Sequence, residues 1–277
     1  MLFLALRCVA TGRGHEGHSV NPQRVILLGT GTSHGIPMIG CDCPVCRSPD
    51  PRDKRGRSSA LVEVGGRSFL IDTPPELRLQ CLASDVCRVD AVLFTHHHAD
   101  HITGLDDLRR FNDLQGRPLG CYGDEATLTT LERVFPYAFH HSPDYPSSKP
   151  QLELRLIDGP FDLLGVPIVP VPLYHGKLHV FGFRFGNFAY CTDVSMIPDE
   201  SLRLLAGLDV LVLDALRRRP HPTHFNLEQA VEVAGRIAAK RTYFTHIAHE
   251  LMHETTNTEL PAGMALGQDG QVITFDT

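Results

Sequence analysis

The stretch FTHHHADHITGLDDL, Phe94 to Leu108, constrains this chain more than any other. It places four histidines and an aspartate in the six positions 96–101, directly behind the apolar run AVLFT that starts at Ala91. Polar groups of this kind are costly to bury unpaired. A fold that takes the run as a strand must therefore open at its end into a polar cavity. On the turn from that strand into the next helix, alternate side chains converge on one point. Imidazole nitrogens and carboxylate oxygens are the donors that Zn²⁺ or Mn²⁺ accepts. His96, His98, Asp100 and His101 are thus candidate metal ligands, and His97 points away.

The same pattern recurs along the chain. Asp72 ends SFLID, His175 follows VPLY, Asp193 ends FAYCTD and His246 ends TYFT, each just past an apolar run. Singly, such residues cap or hydrogen-bond. Together, five strand ends carrying metal-compatible side chains read as one site.

Between these ends, short β-rich runs alternate with helical patterns. Hairpin turns are expected at Gly65-Gly66 and Gly186-Asn187. Helices are expected over Pro75 to Ser84, Leu105 to Leu114, Asp124 to Phe135 and Leu227 to Ala239, the last capped by Asn226. Hairpins mixed with helices predict two sheets packed between helical layers. His140 to Gln151, HHSPDYPSSKPQ, reads as a solvated connection.

With 277 residues and 42% hydrophobic content, the chain can bury one sizeable core. Residues 24–277 are expected to form that unit, and residues 1–23 a loose N-terminal extension. A net charge of −6 argues against gripping a long nucleic acid and favours a small substrate. No run of 18 apolar residues is present, so no membrane-spanning helix is expected. A homodimer is compatible with all of this.

Three of the eight cysteines, Cys41, Cys43 and Cys46, fall within GCDCPVCRS, and the other five are scattered. That distribution favours a metal site in a reducing, cytoplasmic compartment over a disulfide framework. The scattered five are expected to be buried apolar residues. C-x-C-x-x-C supplies three thiolates to one Zn²⁺, and a closed structural site needs a fourth ligand. His249 in THIAH is the favoured candidate, with His34 and His253 behind it.

His96, His98, Asp100 and His101 meet the HxHxDH signature, and the chain over roughly residues 24 to 277 resembles the metallo-β-lactamase superfamily. That resemblance implies an α+β fold, a four-layer αββα sandwich. It also implies that His96, His98 and His175 hold one metal and Asp100, His101 and His246 the other. Asp193 bridges both, and Asp72 orients ligands and water. Lactam-cleaving members commonly use a cysteine where this chain has Asp193, so phosphodiester or thioester hydrolysis is the implied class. The cysteine cluster behind LGTGTSHGIP is similar to the PhnP-type branch, the phosphoribosyl cyclic phosphate phosphodiesterases. In that branch three cysteines and a histidine bind a structural zinc and the catalytic pair is often manganese. The carry-over here is Cys41, Cys43, Cys46 and His249.

The expected cofactors are two catalytic divalent metals, zinc or manganese, and one structural zinc. The expected reaction is hydrolysis of a small, cyclic, ribose-phosphate or nucleotide-like phosphodiester through a hydroxide activated by the metal pair, with Asp100 in the catalytic set. The resemblance also gives the loop HPTHFNLEQA an acid-base or phosphate-contacting role. His224 is favoured there as proton donor and His221 is the alternative. The competing readings are a protein similar to the cofactor-biosynthesis member PqqB and a zinc-stabilised binding protein without turnover.

Overall fold

A computed structural model describes residues 23–139 and 149–276. Residues 140–148 of the connection expected over His140 to Gln151, and residues 1–22 of the expected extension, lie outside those residues. Among the described residues the strands form two seven-stranded sheets.

The first sheet contains β1 (Arg24–Gly29), β2 (Ser59–Val64), β3 (Arg67–Ile71), β4 (Ala91–Leu93), β5 (Leu119–Gly123), β6 (Leu152–Leu156) and β14 (Gln271–Thr274), in the order β14-β1-β2-β3-β4-β5-β6. The second contains β7 (Phe161–Leu163), β8 (Val166–His175), β9 (Leu178–Phe185), β10 (Phe188–Cys191), β11 (Val210–Asp214), β12 (Arg241–Thr245) and β13 (Met264–Leu266), in the order β13-β12-β11-β10-β9-β8-β7.

Three apolar clusters make this a four-layer αββα sandwich. Phe69 and Ile71 of the first sheet meet Phe183, Phe185, Tyr190 and Val212 of the second in the central layer. Leu70, Val92 and Phe94 face the helices Leu77–Ala83, Arg109–Gln115 and Glu125–Val134. Leu211 and Leu213 face Leu227–Ile237. Strands covered on both faces read as continuous apolar runs, and every residue of β4, β10 and β11 is buried.

Both hairpins form where expected, joining β2 to β3 and β9 to β10. Asn226 caps its helix in a reciprocal box, its side chain accepting from the Gln229 amide while the Gln229 side chain accepts from the Asn226 amide. Pro170 and Pro172 of β8 lie beyond Val166–Ile168, the residues that β7 pairs, where the strand needs no ladder amide on that side.

Two expectations about cysteine divide. Cys81, Cys121 and Cys191 are buried free thiols, whereas Cys87 is half-buried and disulfide-bonded. Packing therefore does not account for Cys87, and Cys8 lies outside the described residues.

β3, β4 and β5 run parallel, as do β10, β11 and β12. Their C-terminal ends carry the polar residues, so the topology gathers at one edge of the sandwich what the sequence spreads over 175 positions, from Asp72 to His246.

Candidate metal centres

Asp72, Asp193 and His246 each leave a strand in the left-handed region, with φ of 60°, 56° and 58°. Non-glycine residues pay for that conformation, and here it turns each side chain across its strand end. His96 follows β4, His98 is the residue before the short helix Ala99–Ile102, and Asp100 and His101 lie within it. His175 is the last residue of β8.

The resulting donors form groups whose atoms all lie within 4.8 Å of one another: His96, His98, His175 and Asp193 in one, Asp100, His101 and His246 in another. Asp193 faces both. Its Oδ1 lies 3.3 Å from His101 Nε2, and its Oδ2 lies 3.3 Å from His246 Nε2 and 3.9 Å from His96 Nε2. Asp100 Oδ2 is 3.4 Å from His101 Nε2 and 3.7 Å from His246 Nε2. Donors about 2.1 Å from a tetrahedral cation stand roughly 3.4 Å apart, so these separations fit metal coordination. Buried Nε2 atoms of His96, His101 and His246 have no hydrogen-bond partner. Such orphaned atoms are expensive unless something else satisfies them, and a cation does.

The second ring nitrogens of His101 and His175 are tied down behind the donors. Asp72 Oδ2 takes His101 Nδ1 at 2.7 Å and the Thr95 hydroxyl at 2.8 Å, and the Thr223 carbonyl takes His175 Nδ1 at 2.6 Å. Outer partners of this kind fix ring orientation and the coordinating nitrogen. Burial, with the charge of His101 nearby, holds His96 well below its usual range, and burial also lowers His98 and His175. Burial works against ionisation of Asp193 and Asp100, but the neighbouring imidazoles outweigh it and both stay carboxylates. Neutral imidazoles and ionised carboxylates are the forms a metal accepts, and His101, whose burial is outweighed by Asp193 and Asp72 so that it stands well above its usual range, releases its proton on binding one.

His224 stacks on His246 with ring centroids 4.6 Å apart, and its Nδ1 meets Asp214 Oδ2 at 2.9 Å. Burial alone lowers its pKa, but Asp214 more than compensates and raises it to about 9. His221 lies farther out, half-buried, with Nδ1 3.2 Å from the Thr223 hydroxyl. Asp214 was not singled out by sequence, although it ends the run VLVLD as Asp193 ends FAYCTD. His97 joins none of the donor groups. Arg218 and Arg219 pair with Glu259 and Glu250, as befits a solvated face.

The second centre is the cysteine cluster. His249 Nδ1 lies 3.2, 3.4 and 3.8 Å from the sulfurs of Cys41, Cys43 and Cys46. A zinc with sulfur at about 2.3 Å and nitrogen at about 2.0 Å sets a sulfur to nitrogen separation of roughly 3.5 Å, so the four donors fit. Burial disfavours the Cys43 thiolate, yet the Cys46 amide and its neighbours bring its pKa down to about 7. His253, the weaker candidate, is buried with Nδ1 unpartnered and is not in the group.

The two centres share a segment, since His246 and His249 are three residues apart. Thr32 N donates to the Ile247 carbonyl and Ile247 N to the Thr30 carbonyl, so the loop GTGTSHG borders this segment. Gly31 is required there, because a Cβ would come within 2.8 Å of the Arg55 carbonyl.

The beta-lactamase superfamily domain matches residues 67–247, and with this site and sandwich the chain belongs to the metallo-β-lactamase superfamily. Within it the chain is PhnP-like: the crystal structure of a diphosphatase from the PhnP family is 45% identical, with a TM-score of 0.86, covering 92% of this chain and 98% of that one. An octanoyltransferase of Porphyromonas gingivalis is 37% identical over 259 residues, 92% of this chain but 52% of the relative, so the chain spans about half the length of that protein. A ribonuclease Z from a Mycobacterium species is 28% identical over 256 residues, 80% of this chain and 83% of the relative. Zn²⁺-bound PqqB from Methylobacterium extorquens, 18% identical with a TM-score of 0.73 and covering 91% of this chain and 100% of that one, shares the fold. No helix among the described residues is long and apolar enough to cross a membrane.

Proposed function

We propose that the chain is a phosphodiesterase acting on a small cyclic, ribose-phosphate or nucleotide-like diester, with His96, His98, Asp100, His101, His175, Asp193 and His246 holding two divalent metals. The observation that carries this reading is Asp193, whose two oxygens face histidines of both donor groups. Two-metal hydrolases hold their cations about 3.5–4 Å apart, a spacing one carboxylate can bridge. When bound, zinc or manganese there supplies acidity to water near neutral pH and neutralises charge on a phosphoryl oxygen.

The chain's own residues position and donate. Asp72 and the Thr223 carbonyl hold the imidazoles in one orientation, so no reorganisation accompanies loading. His224, kept protonated through Nδ1 by Asp214, has Nε2 left to give a proton to a departing alkoxide. Cys41, Cys43, Cys46 and His249 hold a structural zinc and so anchor the segment that ends at His246. That role needs Cys41, Cys43 and Cys46 as free thiolates, and none of the three is disulfide-bonded.

A substituted diphosphate is the second reading, favoured by the 45% identical diphosphatase. Both substrates present a phosphorus with two substituents and differ in whether the leaving oxygen belongs to carbon or to phosphorus.

The test is a hydrolysis panel of bis(p-nitrophenyl) phosphate, cyclic ribose phosphodiesters and nucleoside diphosphate derivatives, with zinc or manganese supplied. Ring opening to a phosphomonoester with little inorganic phosphate supports the first reading, and faster diphosphate cleavage the second. No turnover on any member would leave a binding or PqqB-like role in place of both.

A further inference from the structure

β3, β4 and β5 run parallel, so their N-terminal ends lie at the edge of the sheet opposite the metal donors. At about 3.3 Å per residue, Arg67 at the start of β3 is roughly 16 Å from Asp72. A cavity of about 440 Å³ opens at that edge, lined by Arg67, Arg88, Asp90, Gln115, Arg117 and Leu164. Three guanidiniums there surround one carboxylate, in a chain whose net charge is −6.

The floor of the cavity is rigidly built. Asp90 is buried, and its Oδ2 accepts from Ser68 N at 3.0 Å and from Arg88 Nε at 3.0 Å. Its Oδ1 accepts from Arg88 Nη2 at 3.0 Å and Arg117 Nη2 at 2.7 Å. Gln115 exchanges two bonds with the Val89 backbone, at 2.9 and 2.8 Å. Asp90 is therefore saturated: it holds Arg88 by Nε and Nη2 and Arg117 by Nη2, and Arg117 Nη1 donates to the Asp90 carbonyl at 3.4 Å, which leaves Arg88 Nη1 and Arg117 Nε to face the cavity.

Arg67 differs from its neighbours. It is half-buried, it lines this cavity and an adjoining one of about 440 Å³, and it has no carboxylate or carbonyl partner among the described residues. Leu164, 45% exposed at the tip of the β7–β8 turn, adds an apolar wall.

A carboxylate ligand offers two oxygens and matches one guanidinium edge. A phosphate monoester offers three terminal oxygens, which three planar forks can share. We propose that Arg67, Arg88 and Arg117 form a binding site for a small phosphomonoester with a compact apolar body, separate from the metal centres and independent of the reaction they perform.

The test titrates phenyl phosphate and inorganic phosphate into the metal-loaded wild type, Arg67→Gln and Arg117→Gln, followed by calorimetry. A dianion also binds a metal pair, so the readout is a phosphate site that responds to these arginines. The expected result is one such site, weakened about tenfold or more in either variant, as loss of a charge-assisted hydrogen bond requires. The melting temperature stays unchanged in Arg67→Gln, whose side chain is half-buried and unpaired, whereas Arg117→Gln takes one of two cations from the buried Asp90 and is expected to melt lower, so the Arg67 variant carries the test. Binding in the wild type that both variants retain overturns the proposal, as does the absence of any site. Equal binding of benzoate overturns the assignment to phosphate.

Discussion

Replacing Arg55 with methionine tests how the two centres are tied together. The guanidinium is 1% exposed, and its Nη2 meets Asp53 Oδ1 at 3.1 Å and the Leu251 carbonyl at 2.8 Å. Its Nη1 reaches the Ala248 carbonyl at 3.3 Å. Asp53 Oδ1 in turn accepts from His253 N at 2.8 Å. This pair thus grips the backbone on both sides of His249 and fastens it to the loop that carries the cysteines. Methionine fills much of the volume but leaves a buried carboxylate without its cation, which costs about 3–5 kcal/mol. For a chain of this size that is a fall of roughly 6–20 °C in melting temperature. Denaturant and thermal unfolding, each with and without chelator, measure the loss, and zinc retention against the chelator should fall with it. A second variant, Arg55→Met with Asp53→Asn, removes the uncompensated charge while keeping an acceptor for His253 N, and should recover at least about 1 kcal/mol. A single variant within about 1 kcal/mol of wild type, or a double variant no more stable than the single, refutes the reasoning.

Three further outcomes are expected. Asp100→Ala should abolish turnover and leave the melting temperature of the metal-free protein nearly unchanged, whereas Cys43→Ser should cost several kcal/mol because a closed zinc site contributes to folding; equal losses would mean the two centres are misassigned. His224→Ala should slow alkyl phosphodiesters by roughly 100-fold or more relative to p-nitrophenyl esters, whose leaving group departs unprotonated, and an equal loss on both removes His224 as donor. Burial raises Asp269 to about 6 from its ordinary 3.8, against donation from Gly56 and Thr30. The folded chain therefore keeps a proton that the unfolded chain has released between those values, and stability falls as pH rises through that window, by up to about 3 kcal/mol. Asp269→Asn should remove that part of the slope, and identical pH profiles for the two proteins would contradict it.

The donors at strand ends were legible because two local signals coincide in them: an apolar run long enough for a strand, and a metal-compatible side chain just beyond it. His96, His175, Asp193 and His246 all carry both, and the parallel strands then bring them together. Asp214 carries both signals too, yet it contacts His224 and stands behind the donors. A run of residues does not distinguish a side chain that faces a ligand from one that faces another side chain; only the packing of His224 over His246 does. Asp53 and Arg55 were illegible for the opposite reason. PRDKRGRSS reads as a solvated charge run, and the contacts that bury it come from Ala248 to His253, nearly two hundred positions away. β7 and β13 are three residues each, too short for any periodicity to register. Cys87 looked like the other scattered cysteines, since spacing alone does not separate a packed thiol from a paired one.

The central claim is that Asp193 joins two metals into one hydrolytic site, apart from a zinc held by the cysteines. Elemental analysis and phosphodiester hydrolysis on the same preparations of wild type and Asp193→Ala test it most directly. Three metals per chain and turnover are expected in the wild type. Asp193→Ala should retain the cysteine-bound zinc, lose metal from the histidine groups and show no turnover. Three metals and undiminished hydrolysis in Asp193→Ala would contradict it.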